Sequence, residues 1–297
     1  MVSIVICTYN HAHYLNRVLA SAQRLTYQSL EIVVVDNNST DTTAEIATKY
    51  NVKYVLETTQ GLSHARNRGI LESSGEYIAF VDDDIVFANS HWVENMLSGF
   101  ALADNVGVVG GKVIPKCPTK HTSLTEMFLF LHGQDKGKNA SILADGNLMG
   151  ANIMYSRTAI NMSKFNTHLG RNGPTLLGRE ESEFNRQLIE KGYFMAYVPS
   201  ADVDHLIQPD RFTMRYLIRL YFYEGISEYL VNKSILLRRL HKPFLGVFSL
   251  VAAFLTLNRK HIIIRFLRLI QNIGTCYGPY YSLCHTTLGY LLYSVSS

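Results

Sequence analysis

An apolar run that ends in three consecutive carboxylates, Phe80-Val81-Asp82-Asp83-Asp84, has the residue types for chemistry in the tightest spacing of this sequence. Adjacent carboxylates repel one another, and packing them beside a hydrophobic strand is costly unless a cation compensates. Oxygen-only ligands suit Mg²⁺ or Mn²⁺. Such ions take one or two protein carboxylates and fill their other positions with phosphate oxygens of a substrate, so a diphosphate is the natural partner. The other reading of the three acids is a solvated turn capping the helix that follows. The motif alone does not separate the two.

The acids need a scaffold, and the first half of the chain alternates strand and helix. Residues 2–7 are an apolar run, after which Leu15, Val18, Leu19 and Ala22 recur at helical spacing. Residues 31–35 form the next run and end in the polar turn Asp36-Asn37-Asn38-Ser39-Thr40-Asp41, with Asp41 as N-cap of a helix over 42–49. Strands over 52–56 and 77–81 with a helix over 63–72 continue the pattern. This alternation predicts right-handed βαβ units, an α/β fold with a mainly parallel sheet flanked by helices. Ligands of such sheets gather at the carboxyl ends of strands. Thr8, Tyr9 and Asn10 follow the first strand, Asp36 the second, and Asp82, Asp83 and Asp84 the fourth, which suggests one site.

Beyond residue 106 the pattern loosens. Strands are expected over 106–114, 147–155 and 193–198, with helices over 179–190 and 211–231. The chain contains no GxxxxGK[ST] loop, no GxGxxG and no GxSxG, so those chemistries lose support.

The 297 residues are 47% hydrophobic and 18% charged, enough apolar material for a core and a composition unlike that of a disordered chain. The net charge of +4 hides an asymmetry: after Glu228 come eight Lys and Arg and no acid. Cys7, Cys117, Cys276 and Cys284 have neither paired spacing nor a nearby His set, and read as reduced thiols of a cytoplasmic protein. No basic segment stands before the first strand, so no signal peptide is expected.

Four motifs in register resemble the family 2 glycosyltransferases of GT-A fold. They are Val2-Ser3-Ile4-Val5-Ile6-Cys7-Thr8-Tyr9-Asn10, Val33-Val34-Val35-Asp36-Asn37-Asn38-Ser39-Thr40-Asp41, Gly61-Leu62-Ser63-His64-Ala65-Arg66-Asn67-Arg68-Gly69, and the triple Asp. Order and spacing match over residues 1–210, which implies a catalytic domain there and a separate C-terminal region over 211–297. The resemblance implies that Thr8 and Asp36 hold the nucleoside, with Tyr9 and Asn10 beside them, and that Arg66 is a cation facing the donor diphosphate. It places Asp82 near the ribose and Asp84 on a metal ion, with Asp83 as a lesser contributor. Gly150-Ala151-Asn152 resembles the motif beside the sugar site, so Asn152 is expected on a sugar hydroxyl. Arg179-Glu180-Glu181-Ser182-Glu183 resembles the acidic helix start whose second acid is the catalytic base. Many members have Glu-Asp there; this chain has Glu-Glu, which leaves the base open between Glu180 and Glu181. Asp204-His205 resembles the site of the His that completes the metal or diphosphate shell.

The implied activity is an inverting transfer of sugar from a nucleotide diphosphate sugar, UDP-sugars favoured, to a hydroxyl of a glycan or lipid-linked acceptor with Mn²⁺ or Mg²⁺. Two other classes compete. A sugar-phosphate nucleotidyltransferase would carry a Gly-rich loop near residue 10, where Thr8-Tyr9-Asn10-His11 has none. A non-catalytic nucleotide-sugar scaffold would not need intact metal and base positions.

In the acid-free tail, residues 244–257 are uncharged and flanked by Arg238, Arg239, His241 and Lys242 on one side and by Arg259 and Lys260 on the other. That run is short for a spanning helix and suits an interfacial or re-entrant one. Residues 280–295 are again uncharged apart from a His. The expectation is association with the cytoplasmic face of a membrane through anionic lipid. A buried helical subdomain is the competing reading, and nucleic-acid binding is not expected.

Overall fold

The computed structural model describes every residue except 118–122, 144–146, 234–241, 256–258 and 296–297. The chain forms two compact units, Met1–Thr167 with Glu180–Pro209, and His168–Arg179 with Asp210–Ser297. In the first, β1 (Val2–Thr8) leads through α1 (Ala12–Ala22) to β2 (Leu30–Asp36). Then come α2 (Thr43–Ala47), β3 (Lys53–Leu56), α3 (Leu62–Glu72) and β4 (Tyr77–Asp82). Next are β5 (Ile85–Phe87), α4 (Trp92–Ser98), β6 (Val106–Lys116), α5 (Ser123–Leu131) and β7 (Ser141–Leu143). The unit finishes with β8 (Asn152–Ser156), α6 (Arg157–Ile160), α7 (Glu180–Glu190) and β9 (Phe194–Leu206).

These strands form one mixed sheet in the order β3-β2-β1-β4-β8-β6-β9-β5, with β7 beside β9. β3, β2, β1, β4, β6 and β9 share one direction, while β8, β5 and β7 oppose it. The period-2 alternation of the strands sorts their side chains into two cores. Ile4, Ile6, Val34, Val81 and Met154 pack with Leu15, Val18 and Leu19 of α1 and Trp92 and Met96 of α4. Val5, Val33, Val35, Phe80, Ile153 and Tyr155 pack on the other face with Ala65 of α3 and Phe184 and Leu188 of α7. Both sheet faces are thus covered, which is why β1, β2 and β4 read as continuous apolar runs.

Two expected strands have other bounds, and β5, α4, α5, β7 and α6 were not expected from the sequence. The strand expected over 147–155 begins only at Asn152, because the chain turns at Gly150 and Ala151 first. The strand expected over 193–198 runs on to Leu206. Pro199 has no N–H to donate, and the pairing of β9 with β6 skips from Gly111↔Val198 to Val113↔Val203. The strand resumes after this bulge instead of ending.

The second unit contains α8 (Met214–Val231), α9 (Lys242–Leu255) and α10 (Arg259–Val295). Thr213 caps α8 by accepting from the Tyr216 N–H at 3.2 Å. α8 and α10 approach until backbones touch: a Cβ on Gly225 would lie 2.0 Å from the Gln271 carbonyl oxygen, and one on Gly274 2.0 Å from that of Phe222. The apolar run expected over 244–257 forms most of α9, and the run over 280–295 belongs to α10. Arg238, Arg239 and His241 lie outside the described residues. Among those described, no helix is long and apolar enough to cross a membrane.

Candidate active site

Register alone brings three of the four motifs together, those of β1 and β2 and the triple Asp. Thr8 of β1 pairs with Asp36 of β2, and Cys7 with Asp82 of β4, so the carboxyl ends of three parallel strands present their polar residues side by side. Two side chains tie the loops beyond them. Asn10, left-handed at φ 53°, accepts from the Thr40 N–H at 2.7 Å. Asp41 caps two helices at once, accepting from the N–H groups of Ala12 and Thr43, each at 3.0 Å.

On the nucleoside side expected from the sequence, Asp36 is buried and already accepts from the Ser39 N–H and the Tyr54 hydroxyl, both at 2.8 Å. Burial, then this bond to Asp36, push the Tyr54 hydroxyl up to about 12. The Thr8 hydroxyl is buried with no hydrogen-bond partner, an uncompensated polar group of the kind a ligand would satisfy. Tyr9 is exposed. Asn37, which the sequence reading passed over, accepts from the Gly61 N–H at 2.7 Å and donates to the carbonyls of Glu57 and Thr59, fixing the loop that leads into α3.

The three acids part company after β4. Asp83 pairs with His11 Nδ1 at 3.1 Å, while His11 Nε2 accepts from the Gln208 amide. Asp84 turns to β9, where the Ile85↔His205 register and the bond from the Leu206 N–H to the Asp84 carbonyl (2.7 Å) set it against His205. His205 Nε2 is 3.2 Å from Asp84 Oδ1, and its Nδ1 is 3.0 Å from the His132 carbonyl, which can only accept. That bond places the neutral ring's proton on Nδ1 and leaves the Nε2 lone pair facing Asp84.

Asp82, Asp84 and His205 each offer one ligand atom, and the three lie within 4.8 Å of one another. Burial, then the charge of Asp84, push the Asp82 carboxyl up to about 6, against the pull of Arg66 and His205. Burial pulls the His205 imidazole down, but the charge and hydrogen bond of Asp84, the charge of Asp82 and the bond to the His132 carbonyl together outweigh it, and the net direction is up. A divalent cation removes the repulsion between the two carboxylates, and oxygen with imidazole nitrogen is a donor set it accepts. The residues fit such an ion.

Arg66 of α3 lies buried between Phe80 and Phe165, its guanidinium carbon 5.8 and 5.4 Å from the two ring centres. Its anions are protein carboxylates: Glu180 at 2.7 Å, Glu181 at 3.7 Å and Asp82 at 3.9 Å. The guanidinium, expected from the sequence to face a diphosphate, links the acids at the end of β4 to those that open α7. Glu180 is pushed up to about 8 by burial and then by the charge of Glu181, with Arg66 opposing. Three carboxylates around one guanidinium cannot all be compensated, which favours a proton within the cluster. Cys7 lies under the same cluster, its thiol pushed up to about 12 by burial.

Asn152, expected from the sequence on a sugar hydroxyl, makes three hydrogen bonds within the protein. Its side chain is fully buried, accepting from Trp92 Nε1 at 3.1 Å and donating to the carbonyls of Lys112 (2.9 Å) and Ala201 (2.8 Å). It joins α4, β6 and β9 to β8. The part of its motif that does reach the site is Gly150, where a Cβ would lie 2.6 Å from Arg66 Nη2.

This geometry meets comparison with known proteins. The model of glycosyl transferase family 2 matches residues 3–162, more than half of the chain. The chain belongs to that family. Among relatives, the glucosyl-dolichyl phosphate glucuronosyltransferase of Haloferax volcanii is 25% identical over 238 residues, 76% of each chain. An uncharacterized glycosyltransferase of Nostoc is 31% identical, a match that spans 42% of this chain and 43% of that one. Among solved structures, the mannosyltransferase PcManGT of Pyrobaculum calidifontis, in complex with GDP-Man and Mn²⁺, superimposes with a TM-score of 0.64. It is 16% identical, and the match covers 94% of this chain and 87% of that one. The fold is the GT-A glycosyltransferase type expected from the sequence.

Proposed function

We propose that this family 2 glycosyltransferase moves a sugar from a nucleotide diphosphate sugar, a UDP-sugar in the favoured reading, to a hydroxyl of a glycan or lipid-linked acceptor with inversion at the anomeric carbon. The observation that carries the reading is the convergence of Asp82, Asp84 and His205 with Glu180 and Glu181 through Arg66. Asp82, Asp84 and His205 would hold Mn²⁺ or Mg²⁺. When bound, such an ion supplies Lewis-acid stabilisation of the departing diphosphate.

The nucleoside side is formed by Thr8, Tyr9 and Asp36. Glu181 takes the proton of the acceptor hydroxyl. Glu180 is less suited, because it is buried against Arg66 and its carboxyl is pushed up by burial and by the charge of Glu181. A single displacement needs no second in-line carboxylate. The name of the Haloferax relative supports a lipid-linked sugar as acceptor.

We also place the protein at the cytoplasmic face of a membrane. Asp210, Glu224 and Glu228 are the only acids in the sequence of the second unit, against 13 Lys and Arg. Leu245, Val247, Ile273, Tyr277 and Tyr280 are exposed there.

The test is a thermal-shift panel of UDP, GDP and their sugars with and without Mn²⁺, since a ligand of the native state raises its apparent stability. The anomeric configuration of the product is then read by NMR. Metal-dependent stabilisation by a UDP-sugar and an inverted product are expected. Indifference to every nucleotide, or retention at the anomeric carbon, would overturn the reading.

A further inference from the structure

Thr8, Asp36 and Tyr54 stand on one face of three neighbouring strands, toward their carboxyl ends. Thr8 of β1 is in register with Asp36 of β2, and Val34, on the same face of β2 as Asp36, is in register with Tyr54 of β3. Side chains two positions apart on a strand share a face. Ile4 and Ile6, which lead to Thr8 at that spacing, lie in the same core as Val34. The three polar residues therefore continue one apolar face.

β3 is an edge strand, and Tyr54 is partly exposed on it. Its hydroxyl nevertheless turns inward and donates to Asp36 Oδ2 at 2.8 Å, while the Ser39 N–H donates to Oδ1 at 2.8 Å. A carboxylate held by one oxygen can still swing, whereas donors on both oxygens fix its plane. The Tyr54 hydroxyl is pushed up to about 12 by burial and by this bond, so it stays a donor in the working range of pH. Thr8 shows what the arrangement leaves open. Its hydroxyl is buried and makes no hydrogen bond, although a carboxylate occupies the adjacent strand position. A buried hydroxyl without a partner is costly, and an Asp36 free to turn could relieve it by accepting from Thr8.

We propose that Tyr54 is a positioning residue of the nucleoside side, its bond turning the Asp36 carboxylate away from Thr8 so that the Thr8 hydroxyl is kept for the nucleoside. The proposal rests on Thr8 and Asp36 being the nucleoside contacts. It gives an edge-strand residue that the sequence reading passed over a part in donor affinity and none in the transfer step.

The test is calorimetry on the full chain with whichever of UDP and GDP binds it, with and without Mn²⁺. Tyr54→Phe, Thr8→Val and the double variant are compared, with Asp36→Ala as reference. Tyr54→Phe keeps the ring and removes only the hydroxyl at a partly exposed place, so the fold should hold. It is expected to weaken nucleotide binding about 5–20-fold, the scale of a hydrogen bond to a charged group. The factor should be the same with and without the metal. Thr8→Val should weaken binding similarly in the wild type and hardly further in Tyr54→Phe, where the Thr8 hydroxyl already serves Asp36. A merely structural effect of Tyr54 would instead add to that of Thr8. With a donor sugar that the wild type consumes, KM should rise by the same factor and kcat stay within about twofold, as for a contact made equally in ground and transition states. Unchanged affinity in Tyr54→Phe beside a weakened Asp36→Ala, or additive losses in the double variant, would overturn the role of Tyr54 and leave the nucleoside contacts standing. Wild-type affinity in Asp36→Ala, or a wild type that binds neither nucleotide, would overturn both.

Discussion

Arg66 Nη1 lies 2.7 Å from Glu180 Oε1, and both side chains are buried. This pair gives the two acids of one helical turn different surroundings. Glu180 faces the guanidinium from the interior, where burial and the charge of Glu181 push its carboxyl up. Glu181 stands 3.7 Å away with 21% of its side chain exposed. The same guanidinium is 3.9 Å from Asp82, so a change at either end of the cluster is felt at the other.

The first consequence concerns turnover. Glu181→Gln keeps size and hydrogen-bonding reach but removes the proton acceptor, and is expected to lower kcat roughly 10²–10⁴-fold. Calorimetry with UDP and Mn²⁺ should give near wild-type affinity. Glu180→Gln should lose much less activity. An inactive Glu180→Gln beside an active Glu181→Gln would move the base by one residue.

The second concerns stability against pH. The Glu180 carboxyl is raised in the folded state from 4.5 to about 8. Between those values the native chain binds the proton and the unfolded chain does not, so this group makes stability fall as pH rises through the window. Glu180→Gln, which cannot ionise, should match the wild type near the bottom of the window and gain on it toward pH 8. Thermal melts of both proteins across the range measure the gap, and a constant difference would show that Glu180 is ionised throughout.

What the sequence made legible follows from what was local. The apolar runs of β1, β2 and β4 and the polar residues at their carboxyl ends announced one cluster at the strand ends, because strand register alone assembles it. The acids of α7 were visible as a motif. Arg66 was visible too, but its burial was not, since Phe165 and Gly150 come from distant segments. His205 lies on a strand that was expected to end at Val198, and the bulge at Pro199 that prolongs it depends on pairing with β6. His132, which sets the His205 tautomer through its carbonyl, left no signal in side-chain chemistry. β5 is three residues long, too short for a periodicity to declare it.

Asn152→Ala tests the structural role found here for a residue expected at the sugar. The change leaves the Trp92 N–H and the carbonyls of Lys112 and Ala201 without this partner in a buried place. Each buried polar group left unsatisfied costs about 1–3 kcal/mol, so a marked drop in denaturant midpoint is expected. The donor KM of the folded fraction should hold. A stable variant with a raised KM would return Asn152 to the ligand.

Asp84→Asn preserves shape while removing one anionic ligand of the cluster. It is expected to abolish the part of UDP binding that depends on Mn²⁺ while sparing the metal-free part, which rests on Thr8 and Asp36. Asp36→Ala should weaken both. Titrations of UDP with and without Mn²⁺ separate the two variants, and an Asp84→Asn protein with unchanged metal dependence would sink the assignment of Asp84.

The tail makes the last prediction. After Glu228 the sequence carries eight Lys and Arg and no acid, so this region repels itself unless anions are near. Nucleic acid is the poorer partner for it, since α9 and α10 carry apolar runs longer than base stacking uses. An anionic bilayer accepts both features, taking the exposed Leu245, Val247 and Tyr280 into its interface while lipid headgroups face the basic residues. The full chain should therefore sediment with vesicles of phosphatidylcholine and phosphatidylglycerol, and much less with phosphatidylcholine alone. Charges exposed to solvent are screened over about 8 Å at physiological ionic strength, so added salt should weaken the association. Equal binding to neutral and anionic vesicles would assign the attraction to the apolar residues alone. No binding to either would make the second unit a helical subdomain whose partner is not a membrane.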